Sequence, residues 1–432
     1  MIEIDSPRQD LNLKNSSANS PLVPFEVRSF RFQWPSDLLA SLAFEMETLI
    51  LGWYVLVETR SVVLLTVFGS LQYLGTLIAP MFGVVGDRFG RRPMLCSMRA
   101  FYASLALILM ALGLTDLLTP YLVFAIALPM GLVRPSDLAI RWALIGDTMP
   151  HDLLMKAIGL SRINMDVARI AGALVGTSLF ALLGIGYSYV IVASFYLASF
   201  GLTLGVSAAH VSRSEPATVA GTVPGNALLA AAASAWRDLK EGMAYVWNTP
   251  VLLAMMWLAF IANLTAYPLS IGLLPYVARE VYRIDAIGLG HIGAAFACGA
   301  LAGSITMTFA GVAKNAPRVV LTSLLLWYAA LAVFVQFETK IAGMVVLVFI
   351  GFFMSLSMVS MSVALLNYAD ERFRARVMGA RMLAIYGLPV GMLAAGVLIA
   401  SVGFSGTILL YCGVGATATI GVGWRWRESI RR

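Results

Sequence analysis

The sequence predicts an all-α membrane protein of twelve transmembrane helices in two pseudo-symmetric six-helix bundles. Three observations carry that prediction. The chain of 432 residues is 59% hydrophobic and only 12% charged, with mean hydropathy +0.84. A soluble domain keeps about a quarter of its residues charged, so this chain lacks the polar surface to face water. Apolar runs of bilayer length recur along it, and a helix needs roughly 20 such residues to cross. The halves repeat weakly at an offset of roughly 220 residues, as a duplicated six-helix unit does.

The runs fall at 35–57, 61–85, 93–115, 119–145, 157–184 and 187–208 in the first half. In the second they fall at 251–277, 286–312, 317–337, 341–366, 376–402 and 404–426. These give a tail at 1–32, a first bundle at 33–208, a linker at 209–250, a second bundle at 251–426 and a tail at 427–432. Residues 1–25 are polar without an apolar core, so no cleavable signal peptide is expected. Residues 209–227 are small, polar and rich in Pro and Gly, the composition of a connector. From Leu228 to Asn248, Trp236, Leu239, Met243 and Val246 alternate with Arg237, Asp238, Lys240 and Glu241. That pattern suits an amphipathic helix on the inner membrane surface.

Charge placement sets the orientation. With the N-terminus inside, only Arg60, Arg279, Arg283 and Lys340 stand on the outer side. The inner loops hold Arg88, Arg91, Arg92, Lys156, Arg213, Arg237, Lys240, Lys314, Arg318, Arg372, Arg374 and Arg376, and the tail adds four arginines. Both termini are therefore expected in the cytoplasm. The net charge of +7 follows from this asymmetry and is no sign of nucleic-acid binding. Cys96, Cys298 and Cys412 form no metal or disulfide pattern and read as packing residues. Gly288, Gly290 and Gly293 spell GxGxxG, but no strand precedes them, so they read as helix-packing glycines. Gly172/Gly176, Gly299/Gly303 and Gly387/Gly391 are small-xxx-small pairs of the same kind.

Between spans 2 and 3 stands GVVGDRFGRR, residues 83–92. Gly83, Asp87, Arg88, Gly90, Arg91 and Arg92 fit G-x-x-x-D-R-x-G-R-R, which resembles the signature loop of the major facilitator superfamily of transporters. The resemblance implies the major facilitator fold, alternating access, and no enzymatic activity. It implies that Asp87 faces the N-terminus of span 11, where free amides favour an anion. It also implies that Arg91 pairs with an acid at the inner end of span 4, for which Asp147 is the best match. Together these contacts would latch the cytoplasmic side. Further landmarks are Trp34 to Trp53, the Asp147-to-Gly159 loop and the Arg372-to-Gly379 loop. They look most like the bacterial branch of macrolide-type drug exporters and enterobactin-type siderophore exporters. Gly172 and Gly176 match that branch's span 5 element, whereas Ala173 and Thr177 depart from it. The resemblance implies proton-driven antiport of a small amphipathic compound by a monomer in a bacterial inner membrane. The partners expected are lipid, substrate and protons, with no cofactor and no nucleic acid. An importer, a lysolipid flippase and a non-transporting assembly or sensor protein are the alternatives.

Ionisable residues at membrane depth are costly and mark mechanism. Span 4 carries Arg134, Asp137 and Arg141 on one face, and span 5 carries Asp166 and Arg169. They read either as a cavity-facing network or as a structural ionic glue. Arg141 and Asp166 stand toward the inner end, where the structural role is the alternative. Arg134 and Asp137 are expected to pair near a central cavity. Glu45 and Glu47 in span 1 lie about 200° apart on a helix, so one faces the cavity and the other a neighbouring span. The cavity-facing one is the proton carrier candidate. Asn263, Tyr267 and Ser270 form an i, i+4, i+7 polar stripe in span 7 and are expected to line the cavity with Gln72, Ser357 and Tyr386. At the repeat offset the second half has Met354, Ser357, Met361, Tyr386 and Pro389, so the charged machinery is expected in the first half.

Overall fold

The computed structural model describes residues 22–76, 78–79, 82, 86, 89–207, 227–309 and 315–428. Every regular element among them is helical. In the first half these are α1 (Arg28–Thr59), α2 (Val62–Leu71), α3 (Arg91–Leu114), α4 (Pro120–Thr148) and α5 (His151–Leu204). A connecting helix α6 (Ala227–Asn248) follows. The second half holds α7 (Pro250–Ile261), α8 (Ala286–Phe309), α9 (Ala316–Phe334), α10 (Lys340–Tyr368), α11 (Arg374–Ala384), α12 (Gly387–Val402) and α13 (Phe404–Arg425).

Among the described residues, ten helical stretches are long and apolar enough to cross a membrane. One of them, Asp152–Leu204, is broken at Gly184, which takes φ 76° and ψ 179°. It supplies predicted spans 5 and 6. The shorter Val62–Thr76 starts predicted span 2. Most of the rest of that span lies outside the described residues, as do Gly83, Asp87 and Arg88. The ten, one counted twice and the short one added, make the twelve crossings expected.

Local chemistry ends the helices where loops are short. Arg60 closes α1 in the left-handed region, and Ser61 at once caps α2 by accepting from Leu64 N. Thr119 caps α4 ahead of Pro120. Gly403, at φ 84°, separates α12 from α13. Near Gly184, Gly186 approaches Gly113, and a Cβ on Gly113 would lie 3.0 Å from Gly186 Cα. Only a missing side chain lets those two backbones meet.

Each half has its own core. The first packs Met46, Tyr102, Tyr189 and Tyr196 among α1, α3, α4 and α5. The second packs Trp327, Tyr328, Phe296 and Ile350, and takes in Leu56, Val62 and Leu65 from the first half.

Three elements differ from expectation. Helix α1 begins at Arg28, inside the predicted tail. Phe30 is buried, and Trp34 Nε1 donates to Leu160 O at 3.2 Å, so this turn is held against the start of α5. Helix α6 forms where predicted, but it docks on protein. Val246 is fully buried, Leu239 and Met243 pack on the second core, and Tyr245 stacks on Phe373 at 4.3 Å. Arg376 Nη1 lies 2.9 Å from Glu241 Oε2 across the same contact. The described part of its apolar face thus packs on the second half, while Trp247 stays exposed. The side chains of Trp236 and Asp238 lie outside the described ones. In span 7, α7 continues into π-helical turns at Ala262–Ala266 and Pro268–Gly272. A π turn inserts a residue into the helical period, so positions 263, 267 and 270 no longer share one face.

Candidate functional site

The described contacts between the halves gather toward the end remote from the N-terminus. A Cβ on Gly290 of α8 would strike Thr177 and Ala173 of α5, and one on Gly396 of α12 would strike Thr66 of α2. A Cβ on Gly52 would touch Pro275 at 3.4 Å. Deeper in, Ser70 Oγ donates to Pro389 O at 3.2 Å and Tyr386 OH donates to Leu74 O at 3.0 Å. A void of about 50 Å³ remains between the halves there, lined by Thr48, Phe68, Gln72, Ile271, Pro275 and Met392 among others. Ligand pockets run to roughly 300–1,000 Å³, so this void is a packing gap behind the site.

Below that contact the charged residues separate into two groups. The first is internal to the first half. Arg99 Nη2 lies 2.7 Å from Asp37 Oδ1 and 3.7 Å from Asp137 Oδ1. Arg141 Nε lies 2.6 Å from Asp137 Oδ2 and 3.5 Å from Asp37 Oδ1, and its Nη1 donates to Ser41 Oγ at 2.8 Å. Two arginines and two aspartates thus tie α1, α3 and α4. Arg99 is wholly buried.

The second group faces the interface between the halves. Arg134 donates to Gln72 Oε1 and, at 3.3 Å, to Thr48 Oγ1, with its guanidinium over the Phe44 ring. Glu45 Oε1 lies 3.7 Å from Arg169 Nε, both side chains about a quarter exposed. Asp166 is buried between Arg162 at 3.6 Å and Arg169 at 3.8 Å. Tyr267 stands within electrostatic reach of Arg169, Arg381 and Arg162. Arg381 comes from α11 and donates to Ser362 Oγ at 2.5 Å.

The expected pairing of Arg134 with Asp137 is therefore corrected. Three residues on a helix leave about 60° between side chains. Arg134 turns to α1 and α2, while Asp137 turns to Arg99 behind α1. Of the two glutamates, Glu47 meets a neighbouring span: its carboxylate accepts from Tyr189 OH at 3.3 Å and Tyr196 OH at 3.0 Å, and it is 3% exposed. Glu45 is the half-open one.

The polar stripe of span 7 splits for the reason given by its π turns. Ser270 is buried, donating to Ala266 O and accepting from Trp327 Nε1 at 3.0 Å. Asn263 donates to its own helix at Ala259 O. Tyr267 packs edge-on against Trp327 at 5.3 Å and lies within electrostatic reach of the other half. Ser357 is wholly buried in the second half and lines no open surface. Gln72 reaches the interface through Arg134, and Tyr386 through Leu74. At the signature loop, Arg91 Nη1 lies 2.5 Å from Asp147 Oδ1 and 2.9 Å from Ala143 O. Arg92 donates to Leu204 O, and Gly90 takes φ 94° at the start of α3.

Asp37, Arg99 and Arg381 were not singled out from sequence. Asp37 stands near the start of an apolar run and Arg99 near the start of another, where each reads as a boundary charge. Arg381 follows the basic loop ending at Arg376 and reads as its continuation. A census of every ionisable residue inside the predicted runs finds all three.

The fold was compared with known structures. The peptide transporter PepTSo of the POT family superimposes with TM-score 0.73 at 12% identity, covering 94% of this chain and 98% of that one. The nucleoside transporter NupG gives 0.66 at 14%, covering 91% and 98%. The human organic anion transporter MFSD10 (TETRAN) gives 0.63 at 15%, covering 92% and 100%. At such identities the likeness establishes the fold. A search of curated proteins returned no match. The sequence profile of the Major Facilitator Superfamily matches residues 37–389, most of the chain and both charged groups, so the protein belongs to that superfamily.

Proposed function

We propose that this protein is a proton-coupled secondary transporter that moves a small amphipathic compound by alternating access. The two bundles, 33–208 and 251–426, rock about the charged interface. The observation that carries the reading is the Glu45–Arg169 pair. It is longer than a hydrogen-bonded ion pair, partly exposed, and sits where the halves part. A proton on Glu45 leaves Arg169 with Asp166 as its one remaining acid, and loss of the proton restores the pair. Glu47, enclosed by two tyrosine hydroxyls, stays outside the couple. Contacts gathered at the end remote from the N-terminus correspond to a state open to the side of the termini. The basic inner loops make that side the cytoplasm. The Arg91–Asp147 contact serves the cytoplasmic latch. Efflux is supported by the exporter landmarks at Trp34, Asp147 and Gly159, and uptake is the runner-up.

The test is reconstitution in liposomes loaded with the pH dye pyranine, challenged with amphipathic compounds under an imposed pH gradient. Wild type is expected to move at least one compound together with protons. Glu45→Gln is expected to lose gradient-driven movement and keep counterflow of the same compound, and Glu47→Gln to keep both. Gradient-driven movement retained by Glu45→Gln removes it from coupling. Equal movement by wild type without a gradient makes the protein a facilitator.

A further inference from the structure

The interface charges are unevenly shared. Glu45 and Glu47 act on Arg134, Glu45 and Asp166 act on Arg169, and half-exposed Arg162 takes part of Asp166, whereas no acid stands among the groups that act on Arg381. Glu47 is already held by Tyr189 and Tyr196, and Asp166 is shared by two arginines. The ion pairs among the described residues include neither Arg134 nor Arg381. Their hydrogen-bond partners are neutral: Gln72 and Thr48 for one, Ser362 for the other. The four-charge group behind α1 is balanced within itself and lends no countercharge. A guanidinium with no acid beside it, as at Arg381, is costly at membrane depth and persists where water solvates it or a ligand supplies the opposite charge. Its planar fork fits carboxylate, sulfonate or phosphate oxygens.

We propose that the ligand of this site is an organic anion, held between Arg381 on the second half and Arg169 on the first, beside Tyr267. This inference rests on the transport reading. It adds a reason for the halves to move. Like charges on facing halves oppose closure, and an anion between them reverses that sign, so closure follows loading. It also bears on coupling. Glu45 faces Arg169 from α5 and Arg134 from α4. A proton on Glu45 leaves Arg169 half-paired with the shared Asp166 and open to the anion, so proton and anion bind together. An anionic ligand thus makes the coupling co-transport, which an inward proton gradient drives as uptake, the second direction named under the proposed function.

The experiment is a thermal-stabilisation screen of the purified full-length protein in detergent. The probes are small aromatic and aliphatic carboxylates, sulfonates and phosphate esters. Each is paired with its neutral amide or ester and with an amine of the same skeleton. Stabilisation is expected from anions only. Arg381→Gln is expected to weaken the best anion by about tenfold, with Arg381→Lys recovering part of the loss. Arg318→Gln, in the first turn of α9, is the control and leaves binding unchanged. Stabilisation by amines or neutral compounds, anion binding unaltered in Arg381→Gln, or a panel in which no anion stabilises wild type overturns the inference. The transport reading fails separately. An anion that binds but is not moved by reconstituted protein makes this a binding protein, and a transported amine leaves a transporter of another substrate.

Discussion

The two halves reach one helical outline with opposite interiors. Among the described residues, every buried charged side chain belongs to the first: Asp37, Glu47, Arg99, Asp137 and Asp166. The second buries hydroxyls and rings, with Thr265 bonded to Tyr328 at 2.6 Å and Ser270 to Trp327. It also carries the π-helical turns, at Ala262–Ala266, Pro268–Gly272 and Val277–Val281. Ionic groups accept few geometries, because a misplaced charge in a dry core has no other partner. Rings and methionines repack at small cost. The first half is thus built to keep its shape and the second to yield.

The sharpest way to break this contrast is Arg99→Leu. It strips Asp37 and Asp137 of a partner and is expected to destabilise by about 3–5 kcal/mol, with Arg99→Leu/Asp37→Leu restoring part of it. Thr265→Val, its counterpart in the second half, is expected to lose about 1 kcal/mol. Thermal melts in one detergent compare them, and equal losses would end the distinction. Next is Gly396→Leu, which inserts a side chain where α12 meets Thr66. Folding is expected to survive, while spin labels at Arg60 and Val402 move apart and transport falls. An unchanged label distance would mean that the two halves accommodate the side chain by local repacking. The smallest effect concerns the loop. Arg91→Ala and Asp147→Ala, combined in a double-mutant cycle, are expected to couple by about 0.5–1 kcal/mol, because the pair is partly exposed.

What could be read in advance follows from the scale of each signal. Span number rests on runs of roughly 20 residues, which survive local irregularity. The Gly184 break was visible as a boundary between two such runs. The Arg91–Asp147 contact came from a loop signature, not from composition. Partner choice was illegible. Arg134 and Asp137 share a face on an ideal helix, yet α1 stands between their neighbours and sends them apart. The π turns that divide Asn263, Tyr267 and Ser270 leave a sequence still reading as a regular i, i+4, i+7 stripe. Arg381 was hidden by four preceding charges in the Glu371–Arg376 segment. Asp37 and Arg99 were hidden by sitting one or two turns from a helix end, where a charge normally reaches water.

The glycine contacts at the end remote from the termini have a consequence for leakage. Gly290 on Thr177 and Gly396 on Thr66 bring backbone against side chain with no compressible layer between. Long side chains at a barrier can bend and let it thin gradually. Here a small separation already admits a file of water, and with it protons. On the proposed proton coupling, a half-open barrier of this kind would dissipate the driving gradient. Closure of this kind favours an all-or-none barrier, and on the proposed coupling the tightness of these glycine seats sets how much of a proton gradient the resting protein preserves.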